Sequence, residues 1–338
     1  SYKGDGEFTN DFFGGDLAGI KAKLDYLQSL GVNTLYLNPI ALAPSNHKYD
    51  ATDYKQVDPM FGSKKEFQDF AKELSKRHMH LILDGVFNHV SDDSIYFDRY
   101  NKYKTVGAYE YWSRIYDLMN QEKLTETAAK EKAKKQFIDE GQTFSPYGFE
   151  NWFDIKNEKV DNEKVNGVST GQHYKYDDWW GYESLPVFKS VDGTKVDHPS
   201  ELNNTQLANY IFYNKDSVAK SWIDEGSSGW RLDVANEVDS SFWQEFRKQM
   251  KSKTMTGAGR TLQKEEEPLI LGEIWDDASK YFLGDQYDSV MNYRFRGAIL
   301  DYLKNGNAAN AQNTLLSVQE DYPKEAFYAL MNLMGSHD

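Results

Sequence analysis

The stretch Gly229-Trp-Arg-Leu-Asp-Val-Ala-Asn-Glu237 begins as a short apolar strand and then turns abruptly polar. A buried strand has no local reason to end on Arg231, Asp233 and Glu237. Period-2 alternation places Arg231 and Asp233 on one face of it. Three other stretches share this pattern of an apolar run followed by polar side chains: Asp84-Gly-Val-Phe-Asn-His89, Gly272-Glu-Ile-Trp275 and Gly335-Ser-His-Asp338.

Working outward from these stretches, short apolar runs alternate with amphipathic helices. Strands are expected at 34–37, 81–87, 229–234, 269–275, 289–292 and 328–334, with helices filling the spaces between them. Leu17, Ile20, Leu24 and Leu27 recur at helical spacing and predict one helix that Gly31 stops. Ser63 and Glu66 form a capping-box pattern that opens another, with Phe67, Phe70, Ala71 and Leu74 inside. Alternation of this kind means an α/β fold with a parallel sheet and right-handed crossovers.

Residues 90–205 break the rhythm. They are rich in Tyr, Trp, Asp and Asn, carry one charged helical stretch near 122–140, and read as a subdomain inserted after a strand. The expected organisation is therefore a first barrel part at 1–89, an insertion at 90–205 and a second barrel part at 206–338. Six barrel-type strands are found where a closed eightfold barrel needs two more. The expectation is a barrel lacking its first and last strands, with weak activity in isolation.

Composition narrows the function. The net charge of −14 opposes a phosphate backbone, so a nucleic-acid partner is not expected. With no cysteine, thiolate nucleophiles and cysteine-held zinc are excluded. The sequence has no run of 18 apolar residues, so no membrane span is expected. The polar start SYKGDGEFTN has no signal-peptide core. Aromatics make up 15% of the chain, and aromatic faces stack on sugar rings as readily as they fill a core.

In a parallel β/α barrel the carboxyl ends of the strands converge on one mouth. Asp233, Glu273 and Asp338, with His89, His337 and Arg231, would then share a pocket. Such a set fits glycoside chemistry, in which one carboxylate attacks while a second, about 5–5.5 Å away, protonates the leaving oxygen. Strands about 4.8 Å apart can meet that separation. Arg231 would hold the nucleophile ionised, and a third carboxylate would raise the pKa of the acid. The two histidines could donate hydrogen bonds to sugar hydroxyls.

The motifs DGVFNH, GWRLDVANE, GEIWDDA and GSHD, in this order, resemble the four conserved regions of the α-amylase family, glycoside hydrolase family 13. YLNPI and SNHKYDATDY are similar to it as well. The resemblance implies a (β/α)8 TIM-type barrel with an inserted domain B after the third barrel strand, and retaining double displacement on α-glucosidic bonds. It implies Asp233 as nucleophile, Glu273 as general acid/base and Asp338 as transition-state stabiliser. Asp84, His89, Arg231 and His337 match substrate-binding residues, and Tyr49 matches the ring beneath the non-reducing-side sugar. Trp275, just after the acid/base, would form an acceptor-side platform.

GWRLDVANEV is similar to the neopullulanase, cyclomaltodextrinase and maltogenic amylase group and to amylopullulanases. The domain B marker MPKLN of neopullulanases is replaced here by Glu183-Ser-Leu-Pro-Val187, which resembles the amylopullulanase version. Starch, pullulan or maltooligosaccharides are the implied partners, outside the cell or at its surface, with the cytoplasm as the alternative. Transglycosylation and a non-catalytic glycan-binding barrel are the rival readings. No organic cofactor is expected. Gly14 and Asp16, in FFGGDL, resemble calcium ligands whose companions would lie upstream. Asn88 matches a ligand of a second calcium site, whose usual Lys-His pair is replaced by Asn236-Glu237.

Overall fold

A computed structural model of the chain describes residues 11–189 and 205–338. The start SYKGDGEFTN and the end of the insertion, 190–204, lie outside the described residues. The central element is a six-stranded parallel sheet. In chain order and in spatial order its strands are β1 (Thr34–Leu37), β2 (His80–Gly85), β3 (Gly229–Leu232), β4 (Leu269–Gly272), β5 (Ser289–Asn292) and β6 (Met331–Asn332). The expected α/β barrel-type sheet is thus present.

Register does more for function than strand number. Asp84 pairs with Arg231 across β2 and β3, and Arg231 with Leu271 across β3 and β4. Gly85, Leu232 and Gly272 lie side by side. The ladder then continues one residue past the strand ends, with Asp233 N donating to Gly85 O (3.1 Å) and Glu273 N to Leu232 O (2.9 Å). Asp233 and Glu273 therefore emerge as neighbours at the carboxyl edge, because the strands carrying them end in step.

β2 to β5 are buried along almost their whole length, as covering on both faces requires. β1 differs. The sequence reads as a buried strand, yet Thr34–Leu37 is exposed at its start and only half-buried beyond, because β1 lies at an edge of the described sheet.

Several expected elements change shape. The helix predicted through Leu17 and Leu27 is two short helices, Leu17–Ala22 and Leu24–Ser29, broken at Lys23, whose ψ of 4° leaves the helical range. Lys64–Lys76 has the full reciprocal capping box of Ser63 and Glu66. Between β4 and β5 the crossover is a 3-10 turn, Ser279–Tyr281, rather than the expected helix. The last predicted strand, 328–334, shrinks to Met331–Asn332, since Tyr328 closes the helix Lys324–Tyr328.

Residues 90–189, between β2 and β3, include the helices Ala108–Glu122 and Glu126–Asp139 and two antiparallel ribbons, Ile155–Asp161 with Gln172–Tyr176 and Asp178–Trp179 with Tyr182–Pro186. Its aromatics do not form a core of their own. Tyr96 stacks on Tyr54 and Trp152, and its hydroxyl bonds that of Tyr210, so the insertion and the sheet are buried in one continuous cluster. The 183–187 stretch runs against the end of β2: Val90 N donates to Pro186 O, and Phe188 N to Asn88 O.

Gly226 links the helix Val218–Glu225 to β3 with φ +142°, a conformation open to glycine. A Cβ there would lie 2.2 Å from Ala71 Cβ. Gly226→Ala should cost about 2–4 kcal/mol through strain and overpacking together. Denaturant unfolding measures this, and an unchanged midpoint would contradict the packing described.

Candidate active site

The site is organised by one cation. Arg231 is fully buried. Its Nη1 donates to Asp84 Oδ1 (3.0 Å) and Oδ2 (3.1 Å) and to Asp233 Oδ1 (2.8 Å). Its Nη2 lies 3.1 Å from Glu273 Oε2 as an ion pair, without the angle of a hydrogen bond. Three strand ends thus deliver three carboxyl groups to one guanidinium, and the same-face expectation for Arg231 and Asp233 is met.

Asp84 is further held by two phenols, Tyr36 (2.5 Å) and Tyr49 (2.7 Å), both donating to Oδ2. Burial and the Asp84 charge push both phenols well above the ordinary tyrosine range, so they stay protonated donors. Tyr49 Oη also lies 2.9 Å from His337 Nε2, and the two rings stack at 5.4 Å. Sequence reasoning missed Tyr36. Its signal was present: it alternates with Leu35 and Leu37 on β1.

Glu273 is fixed from two sides. Val234 N donates to its Oε2 (2.8 Å), and Trp275 Nε1 to its Oε1 (3.2 Å). Val234 has φ +39°, a left-handed conformation that a β-branched residue enters only when its surroundings impose it. That strained turn directly after Asp233 aims the amide at Glu273. Trp275 stacks on Tyr293 at 3.8 Å and leaves its other face open, being 48% exposed.

Electrostatics depart from the simple expectation of an ionised Asp233. Burial, then the neighbouring Asp84 charge, push the Asp233 carboxyl well above the ordinary range; Arg231 opposes this, and Glu273 adds to it. Burial pushes the Asp84 carboxyl up as well, because one shared guanidinium does not fully offset the cost of burying these carboxyl groups.

His89 is fixed by its surroundings. Burial drives it down to about 4, so the ring is neutral and carries one N–H. Nε2 faces the Tyr49 carbonyl (3.1 Å), which only accepts, so Nε2 holds the proton; Nδ1 then accepts from Asn88 Nδ2 (3.1 Å). Both nitrogens are used within the protein. His89 supports Tyr49 and stacks on Trp179 at 5.5 Å.

Asp338 stands apart from the Arg231 cluster. Its Oδ2 lies 3.5 Å from His337 Nε2, its side chain is 41% exposed, and among the described residues no hydrogen bond joins it to Asp233 or Glu273.

Sequence reasoning also missed a cleft of about 860 Å³ beside the site, lined by Asn88, Trp179, Trp180 and Glu237. Glu237 accepts from Trp179 Nε1 and Trp180 Nε1, each at 3.0 Å, tying the insertion's ribbon to the loop after β3.

The calcium expectations gain no support. Asp16 Oδ1 accepts from Gly19 N (2.6 Å) as a helix cap, and Asn88 is committed to His89. Among the described residues no cluster of three or more candidate ligand side chains occurs. Nor, among them, is any helix long and apolar enough to cross a membrane.

The alpha amylase catalytic-domain family matches residues 2–338. An amylopullulanase of Thermoanaerobacterium saccharolyticum is 42% identical over 355 residues, covering 100% of this chain and 23% of that protein. Neopullulanase 2 of Thermoactinomyces vulgaris is 32% identical, covering 97% of this chain and 44% of that protein. The chain therefore spans less than half the length of these curated relatives. Among solved structures, the ligand-free cyclic alpha-maltosyl-(1→6)-maltose hydrolase from Arthrobacter globiformis aligns with a TM-score of 0.67 at 27% identity, covering 98% of this chain and 58% of that one.

The His89 geometry makes a pH prediction. The folded pKa lies below the unfolded 6.5, so between pH 6.5 and about 4 the unfolded chain binds more protons and stability falls as pH drops. A shift of that size corresponds to roughly 3 kcal/mol. Between pH 7 and 4, unfolding free energy should fall by about that much more in wild type than in His89→Gln. Equal losses in the two proteins would refute the buried neutral ring.

Proposed function

The chain belongs to the α-amylase family of glycoside hydrolases, and from that premise we propose that it cleaves α-glucosidic bonds in starch, pullulan or maltooligosaccharides with retention of configuration. One observation carries the reading: Asp233 and Glu273 sit on a single buried guanidinium, at the matching ends of adjacent parallel strands.

In this reading Asp233 attacks the anomeric carbon while Glu273 protonates the departing glycosidic oxygen. The bond to the leaving sugar breaks as the ester to Asp233 forms. Glu273 then takes a proton from water, which attacks the same carbon and releases Asp233. Arg231 offsets the negative charge that reappears on Asp233. Tyr49 provides the ring beneath the sugar, Asp84 and His337 hold that ring, and Asp338 grips sugar hydroxyls. The name amylopullulanase carried by the 42% identical relative supports activity on both α-1,4 and α-1,6 links. Placement outside the cell or at its surface, with the cytoplasm as the alternative, rests only on the size of the polymeric substrates.

Asp233→Asn in the full-length protein should lower kcat on maltooligosaccharide and pullulan by at least about 10⁴-fold, the scale of losing a member of the reacting unit. Undiminished hydrolysis would sink the assignment. Panose, isopanose or maltotriose from pullulan then reports which bond is cut.

A second reading, transfer of the glycosyl group to a sugar instead of water, is favoured by Trp275, whose open face lies beside Glu273. At high maltotriose it yields products longer than the substrate; chromatography that finds none removes it.

A further inference from the structure

Behind Tyr49 lies a charge that this chemistry does not use. Lys48 is only 3% exposed, and its φ of +66° is left-handed. Its ammonium donates to Ala43 O (2.8 Å) and Asp58 Oδ2 (2.8 Å) and lies over the rings of Phe12 and Phe61. Asp58 accepts in addition from Ala43 N (3.2 Å) and Met60 N (2.9 Å), and Lys48 N donates to Ser45 Oγ (3.0 Å). The pair closes the loop after β1 onto the strand Asp53–Val57.

A buried ion pair is a poor stabiliser, because apolar side chains of the same volume avoid the desolvation cost. What the pair does secure is direction. The next residue meets separate partners at three points: Tyr49 N faces His47 Nδ1 (3.1 Å), its carbonyl faces His89, and its hydroxyl reaches Asp84 and His337. The chain reaches all of them from the left-handed turn at Lys48.

We infer that Lys48 is a positioning residue for sugar recognition: anchored to Asp58 and the Ala43 carbonyl, it locks the turn that presents the Tyr49 ring beside Asp84 and His337. The inference rests on the function proposed above, since it takes Tyr49 as the ring beneath the sugar.

The test is a double-mutant cycle in the full-length protein, read as kcat/KM on maltooligosaccharide at fixed folded enzyme. Lys48→Met should lower kcat/KM by about tenfold, mostly through KM, yet add less than about twofold once Tyr49→Ala is present. Losses that multiply in the double variant show a role independent of Tyr49 and overturn the inference alone. A Tyr49→Ala variant as active as wild type overturns the reading of Tyr49, and the inference with it. Should Lys48→Met fail to fold, Asp58→Asn keeps the shape of the pair, and the same cycle with Tyr49→Ala separates the two cases in the same way.

Discussion

Everything at the mouth of this sheet depends on keeping one guanidinium away from water. Arg231 has no exposed surface, so its charge must be met from within, and Asp84, Asp233 and Glu273 meet it from three adjacent strands. Removing Arg231 would leave the buried carboxylates without their counterion, a cost of about 3–5 kcal/mol. The register of β2, β3 and β4 is thereby tied to the chemistry. A slip of one residue in β3 would turn Arg231 and Asp233 together to the other face and strand Asp84 and Glu273.

The same constraint explains the second layer. Asp84 cannot be served by Arg231 alone, because Arg231 is shared, so Tyr36 and Tyr49 donate to it as well. Tyr49 must then be held, and His89, His337 and the turn at Lys48 hold it. His89 is neutral because burial disfavours its charged form.

The centre was legible in the sequence, and the periphery was not. Arg231, Asp233 and Glu273 stand out because two-residue alternation and an apolar run ending in a carboxylate are local signals. The family motifs then order them. What His89 does depends on which atoms face its two nitrogens, and those come from Asn88 and from a loop 40 residues away. The Glu237 bridge to Trp179 and Trp180 joins residues nearly 60 positions apart and leaves no local trace. The break at Lys23 and the short β6 show the limit from the other side: apolar spacing marks where an element lies, while backbone angles at single residues decide where it stops.

The pairing of β2 with β3 across the whole insertion also matters while the chain is being made. Asp84 and Arg231 are 147 residues apart. At about 5–20 residues per second, the ribosome releases Arg231 roughly 7–30 s after Asp84. Through that interval β2 has an unpaired edge and its carboxylate has no counterion. The insertion emerges in the meantime, bringing the aromatics that will share the sheet's core, and has to wait for a partner surface that is not yet synthesised.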